Sequence, residues 1–380
     1  MSVLLDDETR DLLALQLTPG LGPRLTSALL AHFGTARRAL AASPAELCEI
    51  PQIGSKLADK LSRAIGQVNV AAELELLEKH QTRLLILGTP DYPPPLASVD
   101  DPPHLLYLRG NLITQDANAV GIVGSRHCTD YGRRAAARLA AGLVRAGFTI
   151  VSGLARGIDG VAHDAALKAG GRTIAVLAGG LSRIYPPEHA GLAKAIVESG
   201  ALLSEASMDQ DPQAGMFPAR NRIISGLSRA VVIVEAAERS GALITATHAA
   251  EQGRTVFAVP GAIDNDASAG TNALIRDGAI LVRGVDDILE ELHGVSEMAT
   301  RARLAANPAS PTPQSSAAPP PDLDPTQRRV WEFLAGQIRS LDEMAQQLGL
   351  AVPQLSGTLM MLEMKKLVRR LPGNRYERCG

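Results

Sequence analysis

"AVGIVGSRHCTDYG" (residues 119–132) decides how the rest of the chain is read. Val120, Ile122 and Val123 belong to an unbroken apolar run, the pattern of a strand buried on both faces. Gly124-Ser125-Arg126 breaks the run, and an alanine-rich stretch of helix length follows. A strand, a glycine turn and a helix are the parts of a phosphate site, because first-turn N–H groups and the helix dipole face an anion. The spacing is neither G-x-G-x-x-G nor G-x-x-x-x-G-K-[ST]. The stretch therefore indicates an α/β fold with an anion-facing edge, and leaves the kind of phosphate open.

Working outward, the same alternation continues. "RLLIL" (83–87), "HLLYL" (104–108), "FTIV" (148–151), "TIAVLA" (173–178) and "ALLS" (201–204) are apolar throughout, as are "VVIV" (231–234), "TVFAV" (255–259) and "AILV" (279–282). Helix-length segments separate them, which predicts a doubly wound, mainly parallel sheet over residues 81–296. Ligands of such sheets sit at the carboxyl ends of the strands. Gly124, Ser125 and Arg126 follow the first of these ends; Ser152-Gly153 and then Arg156 follow the next. Gly179-Gly180, Arg183 and Tyr185 come after 173–178, and Ser240 and Gly241 after 231–234. So many glycines on one edge allow close backbone approach, and the interleaved arginines call for an extended anion.

"FPARNRIISG" (217–226) is the sharpest segment. Phe217, one of five phenylalanines, is expected in a loop, with Arg220, Asn221 and Arg222 before a helix. A ring beside arginines grips single-stranded nucleic acid by stacking a base and neutralising phosphates; the competing reading is a hydrophobic staple onto Ile223 or Ile224. Asp159 is expected to cap a helix beginning at Gly160. His163 and Asp164 are adjacent on a helix, point apart, and read as structural, His163 towards the sheet. Glu205 and Glu235 read as arginine partners, since no nucleophile or metal cluster accompanies them.

Composition sets the outer limits. The chain has 380 residues, 46% hydrophobic but only 3% aromatic, with a formal net charge of −2. No global basic field exists, so a nucleic-acid site must be a local concentration of arginine. Cys48, Cys128 and Cys379 lie too far apart for metal spacing and read as thiols of a reducing cytoplasm. "MSVLLDDETRDLL" is acidic where a signal peptide is basic, and no apolar run is long enough for a membrane span.

The flanks differ from the core. In residues 1–80, "LTPGLGPRLTSALL" (17–30) and "EIPQIGSKLADKLS" (49–62) repeat a turn followed by a helix, which resembles a tandem helix-hairpin-helix. Residues 297–323 are rich in Pro, Ser and Ala and read as a linker. From 324 to 380, three helices and a small hairpin fit a winged helix-turn-helix. Its third helix, "PQLSGTLMMLEM", has no Lys or Arg, whereas Lys365, Lys366, Arg369, Arg370, Arg375 and Arg378 come after it. This module is expected to dock protein or to bind duplex weakly, not to read sequence.

"GIVGSR", "SGLARGIDGVAHDAAL", "YPPEH", "FPARNRIISGLS", "SGALITATHAAEQGR" and "SAGTNALIRDGAILV" occur in order over roughly 105–290. Together they resemble the bacterial DNA-processing protein A (DprA, or Smf) family. The resemblance implies an extended Rossmann-like core between a SAM-like helical domain and a winged helix. It implies sequence-independent binding of single-stranded DNA, loading of the recombinase RecA in the presence of single-strand-binding protein during natural transformation, and a homodimer. The family's groove maps to Gly124, Ser125, Arg126, Phe217, Arg220 and Asn221. Arg156, Ser240 and Gly241 are added from strand-end position and Arg222 from its place beside Arg220 and Asn221 in the same segment, and Leu274 and Ile275 are suggested as dimer contacts. No cofactor, metal or catalytic residue is expected. The alternative is a Rossmann-like nucleotide-binding enzyme related to the phosphoribohydrolases. Those carry P-G-G-x-G-T-x-x-E, where this chain has "ERSGALITATH" without the double glycine or the acid.

Overall fold

A computed structural model describes residues 5–292, 323–334, 339–365, 367–371 and 375–378. The chain forms two compact units, Met1–Met298 and Ala299–Gly380. The segment expected as a linker, 297–323, lies outside the described residues as far as residue 322.

The first unit is built on a nine-stranded sheet. Its strands are β1 (Thr82–Ile86), β2 (Leu105–Gly110), β3 (Ala119–Val123), β4 (Thr149–Ser152), β5 (Thr173–Leu177), β6 (Ala201–Ser204), β7 (Ala230–Ile233), β8 (Thr255–Ala258) and β9 (Ile280–Leu281). Their order is β1-β2-β6-β5-β4-β3-β7-β8-β9. All pairs from β6 to β9 are parallel, whereas β1 and β2 add antiparallel pairs at one edge. The chain winds outward from β3 to β6, then returns to place β7 on the other side of β3. That makes the β3/β7 junction the topological switch point, where such sheets open a crevice.

Alternate residues of each strand serve opposite faces. Val120, Ile122, Ile150 and Val232 pack under the helices Asp130–Arg145 and Ile158–Lys168, against Ala136, Leu139, Leu143 and Ala162. Ala119, Val123, Val151, Val231 and Ile233 face the helices Met216–Leu227 and Gly241–Glu251 through Ile223, Ile224, Leu227 and Ala246. Each buried valine or isoleucine contributes about 1.5–3 kcal/mol, so this two-sided burial fixes the strand register around the crevice.

The helical segment packs on the sheet within the same unit. The repeat read from sequence forms two helices of equal length, Pro23–Phe33 and Ser55–Ile65, each entered through an extended glycine, Gly22 and Gly54. Leu13, Leu15, Leu29 and Leu61 share one core with Tyr107, Leu177, Leu202 and Met208 of the α/β part. Buried Glu73 accepts from Met208 N at 2.7 Å, and Gln16 Nε2 donates to Glu205 O at 2.6 Å.

The second unit holds helices Pro325–Phe333, Leu341–Leu348 and Val352–Met364 and strands β10 (Arg339–Ser340), β11 (Val368–Leu371) and β12 (Arg375–Arg378). The strands form an antiparallel sheet in the order β10-β12-β11. Gly349, left-handed at φ 65°, closes the second helix. This is a winged helix, as the sequence predicts.

One local expectation is corrected. Phe217 lies not in a loop but in the first turn of the helix Met216–Leu227. Pro218 does not prevent this, because its missing N–H falls among first-turn donors that have no partner within the helix.

Candidate nucleic-acid interface

At the carboxyl end of β3 the loop is tied to the end of β7. Ser125 N donates to Glu235 O at 2.7 Å. The buried Glu235 carboxylate accepts from Thr129 N at 2.8 Å and from Thr129 Oγ1. Glu235 therefore holds the helix-capping threonine and, among the described residues, has no arginine partner, contrary to expectation. The reason is distance along the edge: Thr129, which caps the helix Asp130–Arg145, is what stands over the end of β7.

The loop after β4 is equally constrained. Gly157, not Asp159, is the N-cap of the helix Ile158–Lys168. Buried Asp159 turns back and accepts from Gly153 N at 3.1 Å and Ala155 N at 3.4 Å. Burial raises the Asp159 carboxyl above its ordinary range, and the Arg220 charge opposes this. At Gly157, φ is +74° and a Cβ would run into Ser125 O and come within 2.8 Å of the Arg126 carbonyl. Only glycine lets the β3 and β4 loops nest there.

The FPARN segment divides into an inward part and an outward part. Arg220 is 6% exposed; its Nη1 donates to Gly153 O at 2.6 Å and to the Val176 carbonyl. Burial lowers its guanidinium to about 10. Asn221 Nδ2 donates to Gly241 O at 3.2 Å and so ties this helix to the next. Arg222 faces away, its Nη2 donating to both carboxylate oxygens of Glu205 at 2.8 Å, the arginine partnership expected of Glu205. Phe217 stays half-buried at the surface.

Around Phe217 the structure assembles a ladder of rings and cations. The Arg126 guanidinium carbon lies 4.7 Å from the Phe217 ring centroid. Tyr185, 43% exposed, meets Phe217 edge-on at 6.4 Å. Arg156 stands 6.0 Å from the Tyr185 ring and pairs with Glu188. A groove of about 660 Å³ runs along this edge, lined by Gly124, Ser125, Arg126, Phe217, Arg220, Asn221, Ser240 and Gly241. Arg156, Tyr185 and Gly180 line the adjoining cavity, which shares Arg126, Phe217 and Arg220. Ser240 N-caps the helix Gly241–Glu251, so a helix N-terminus also faces the groove. Arg126 and Arg239 line it with no ion pair among the described residues.

Most of the expected residues therefore meet at one edge. Arg222 does not line the groove, and Leu274 and Ile275 lie elsewhere, half-buried on the helix Asp266–Arg276. Tyr185, already placed at a strand end by the sequence, and Arg239 also belong to this edge, although neither is among the expected site residues. His163 is buried and bonded to Thr173 of β5, the sheet-facing orientation expected of it. The arrangement presents ring faces, exposed guanidinium groups, glycine loops and a helix N-terminus, the means to hold an extended anion with unpaired bases.

Comparison with known proteins follows the same division. Residues 83–293 match the family model for DNA recombination-mediator protein A, residues 314–374 the DprA winged helix domain, and residues 10–66 the SAM-like helix-hairpin-helix tandem. Protein Smf of Synechocystis is 38% identical, covering 96% of this chain and 98% of its own. DNA processing protein A from Streptococcus pneumoniae superposes with a TM-score of 0.65 at 34% identity, over 76% of this chain and 99% of that one. DNA processing protein A from Helicobacter pylori, described for its single-stranded DNA binding mode, gives 0.51 at 31% identity over 56% and 96%.

Proposed function

Because the chain belongs to the DNA-processing protein A (DprA/Smf) family, we propose that it is a recombination mediator that holds single-stranded DNA across the strand-end edge of its core. In this reading it protects incoming strands and loads the recombinase RecA in the presence of single-strand-binding protein, as a cytoplasmic homodimer serving natural transformation and recombination. The observation that carries the reading is the ladder Arg126–Phe217–Tyr185–Arg156, whose Arg126, Arg156 and Tyr185 come from the loops after β3, β4 and β5. The rings stack bases, Arg126 and Arg239 take phosphates, and the glycine loops let backbone N–H groups approach. Arg220 and Asn221 act from beneath by holding the loops in place. A duplex is rejected because paired, stacked bases offer no face to the rings. Among the described residues no helix is long and apolar enough to cross a membrane.

The test is fluorescence anisotropy with labelled oligo-dT and a matching duplex across a salt series, for the wild type and Arg126→Ala. Tight, salt-sensitive binding of the single strand is expected, with a salt slope lower by about 0.7 in the variant. Equal affinity for duplex, or no effect of the substitution, would move the DNA site away from this edge. Release of ribose 5-phosphate from AMP would instead support the phosphoribohydrolase alternative.

A further inference from the structure

Tyr131, Arg134 and Arg138 stand at positions i, i+3 and i+7 of the helix Asp130–Arg145, so the helical period sets them on one face. They line a groove of about 500 Å³ together with Leu139, Val259 and Val282. Val259 and Val282 directly follow β8 and β9. The groove therefore lies on the same edge of the sheet as the Arg126 crevice, farther along the strand order.

Its chemistry repeats that of the first groove. Tyr131 leaves 42% of its surface exposed, yet its hydroxyl donates to Pro260 O at 2.8 Å. An exposed ring is thus held in a fixed orientation, the condition for a stacking platform. Arg134 and Arg138 are exposed, and neither forms an ion pair among the described residues. They lie about 6 Å apart along the helix axis, the scale of the phosphate repeat in an unstacked strand. Arg283, the third arginine of the groove, is engaged by Asp287 at 2.7 Å. The helix itself carries Arg133, Arg134, Arg138 and Arg145 against the single acid Asp130.

We propose that this groove takes a second, outer stretch of the same single strand, with Arg134 and Arg138 on successive phosphates and Tyr131 stacked on a base. The proposal rests on the reading of the strand-end edge as the primary single-strand interface. An acidic peptide would satisfy the two arginines but leave the tethered ring without a role.

The experiment compares full-length wild type, the Arg134→Ala/Arg138→Ala double variant and Tyr131→Ala on oligo-dT of about 6 and about 20 nucleotides. Anisotropy across a salt series is the readout. On the short oligonucleotide both variants are expected to match the wild type. On the long one both lose affinity severalfold, and the double variant's salt slope falls by about 1.4, or about 0.7 per lost phosphate contact. Arg133→Ala, one position off that face, is expected to change neither. Unchanged long-oligonucleotide binding overturns the proposal, as does an equal loss at both lengths. A shift in oligomeric state with an unchanged slope overturns it in favour of a second copy as occupant. A wild type that binds neither oligonucleotide removes the primary interface and this extension together.

Discussion

Arg126 and Arg220 are both arginines beside Phe217, but they do different work. Arg126 is exposed, stacks on the Phe217 ring and forms no ion pair among the described residues, so Arg126→Ala is expected to lower DNA affinity and leave the melting temperature nearly unchanged. Arg220 is buried beside Asp159 and bonded to two carbonyls. Arg220→Ala leaves that charge and those acceptors unanswered, so it is expected to cost about 3–5 kcal/mol of stability as well as binding. Denaturant unfolding of the two variants separates the roles. Phe217→Ala is expected to weaken single-strand binding by about 1–3 kcal/mol, the value of one stacked base. The sequence made Phe217 and Arg126 visible, because a ring in an aromatic-poor chain and an arginine at a strand end are local facts. It could not separate Arg220 from Arg126, because burial depends on carbonyls that the fold brings from β4 and β5. His163 adds a pH dependence. Thr173 Oγ1 donates to Ile150 O at 2.8 Å, so it accepts from His163 Nδ1 at 2.6 Å, which leaves Nε2 buried without a partner. Burial, with His189 and Arg220 nearby, lowers this imidazole from 6.5 to about 3. Below about pH 6.5 the unfolded chain therefore takes up a proton that the folded chain refuses. Stability should fall with pH through that window, by at most about 1.4 kcal/mol per unit. Subtracting the same profile for His163→Gln isolates the effect; parallel profiles would contradict it.

The elements were legible to different degrees. The strands of the parallel core appeared as apolar runs because both of their faces are covered, and no polar alternation interrupts them. The direction of β1 and β2 was not legible, since an antiparallel edge strand buried on a sheet reads the same as a parallel one. Loop geometry was legible only as composition. The sequence shows glycines after the strands, but not that the β3 and β4 loops nest through Gly157. That contact gives an element-scale prediction. Gly157→Ala forces a side chain into the left-handed region and against the backbone of Ser125 and Arg126. The helix Ile158–Lys168 remains anchored by its buried face, so the chain is expected to fold with reduced stability. The displaced Arg126 loop should then lose single-strand affinity although no DNA-facing side chain has been removed. Binding that matches the wild type would mean that the loop does not need this fixed geometry.

For the whole molecule, the question is which parts the DNA requires. The candidate grooves lie within the unit Met1–Met298, and the helical segment shares its core. The winged helix forms a separate unit whose third helix exposes Val352, Met360, Met361 and Met364 and bears no basic side chain. A helix that neutralises no phosphate adds little to a salt-dependent affinity. Deleting residues 324–380 is therefore expected to leave oligo-dT affinity and salt slope largely intact, and a large loss would assign the module a direct DNA contact. The proposed homodimer is tested on the core. Leu274 packs inward against the sheet cluster, so its substitution confounds folding with assembly. Ile275 belongs to none of the core clusters and is only half-buried. Ile275→Glu is thus expected to preserve the melting temperature yet give a monomer by light scattering. Because two grooves on one dimer raise avidity by mass action, the monomer should keep its affinity for a short oligonucleotide and lose it for one long enough to span both copies. Loss at both lengths would instead mean that the substitution damages the groove, and a dimer that persists would move the interface off this helix.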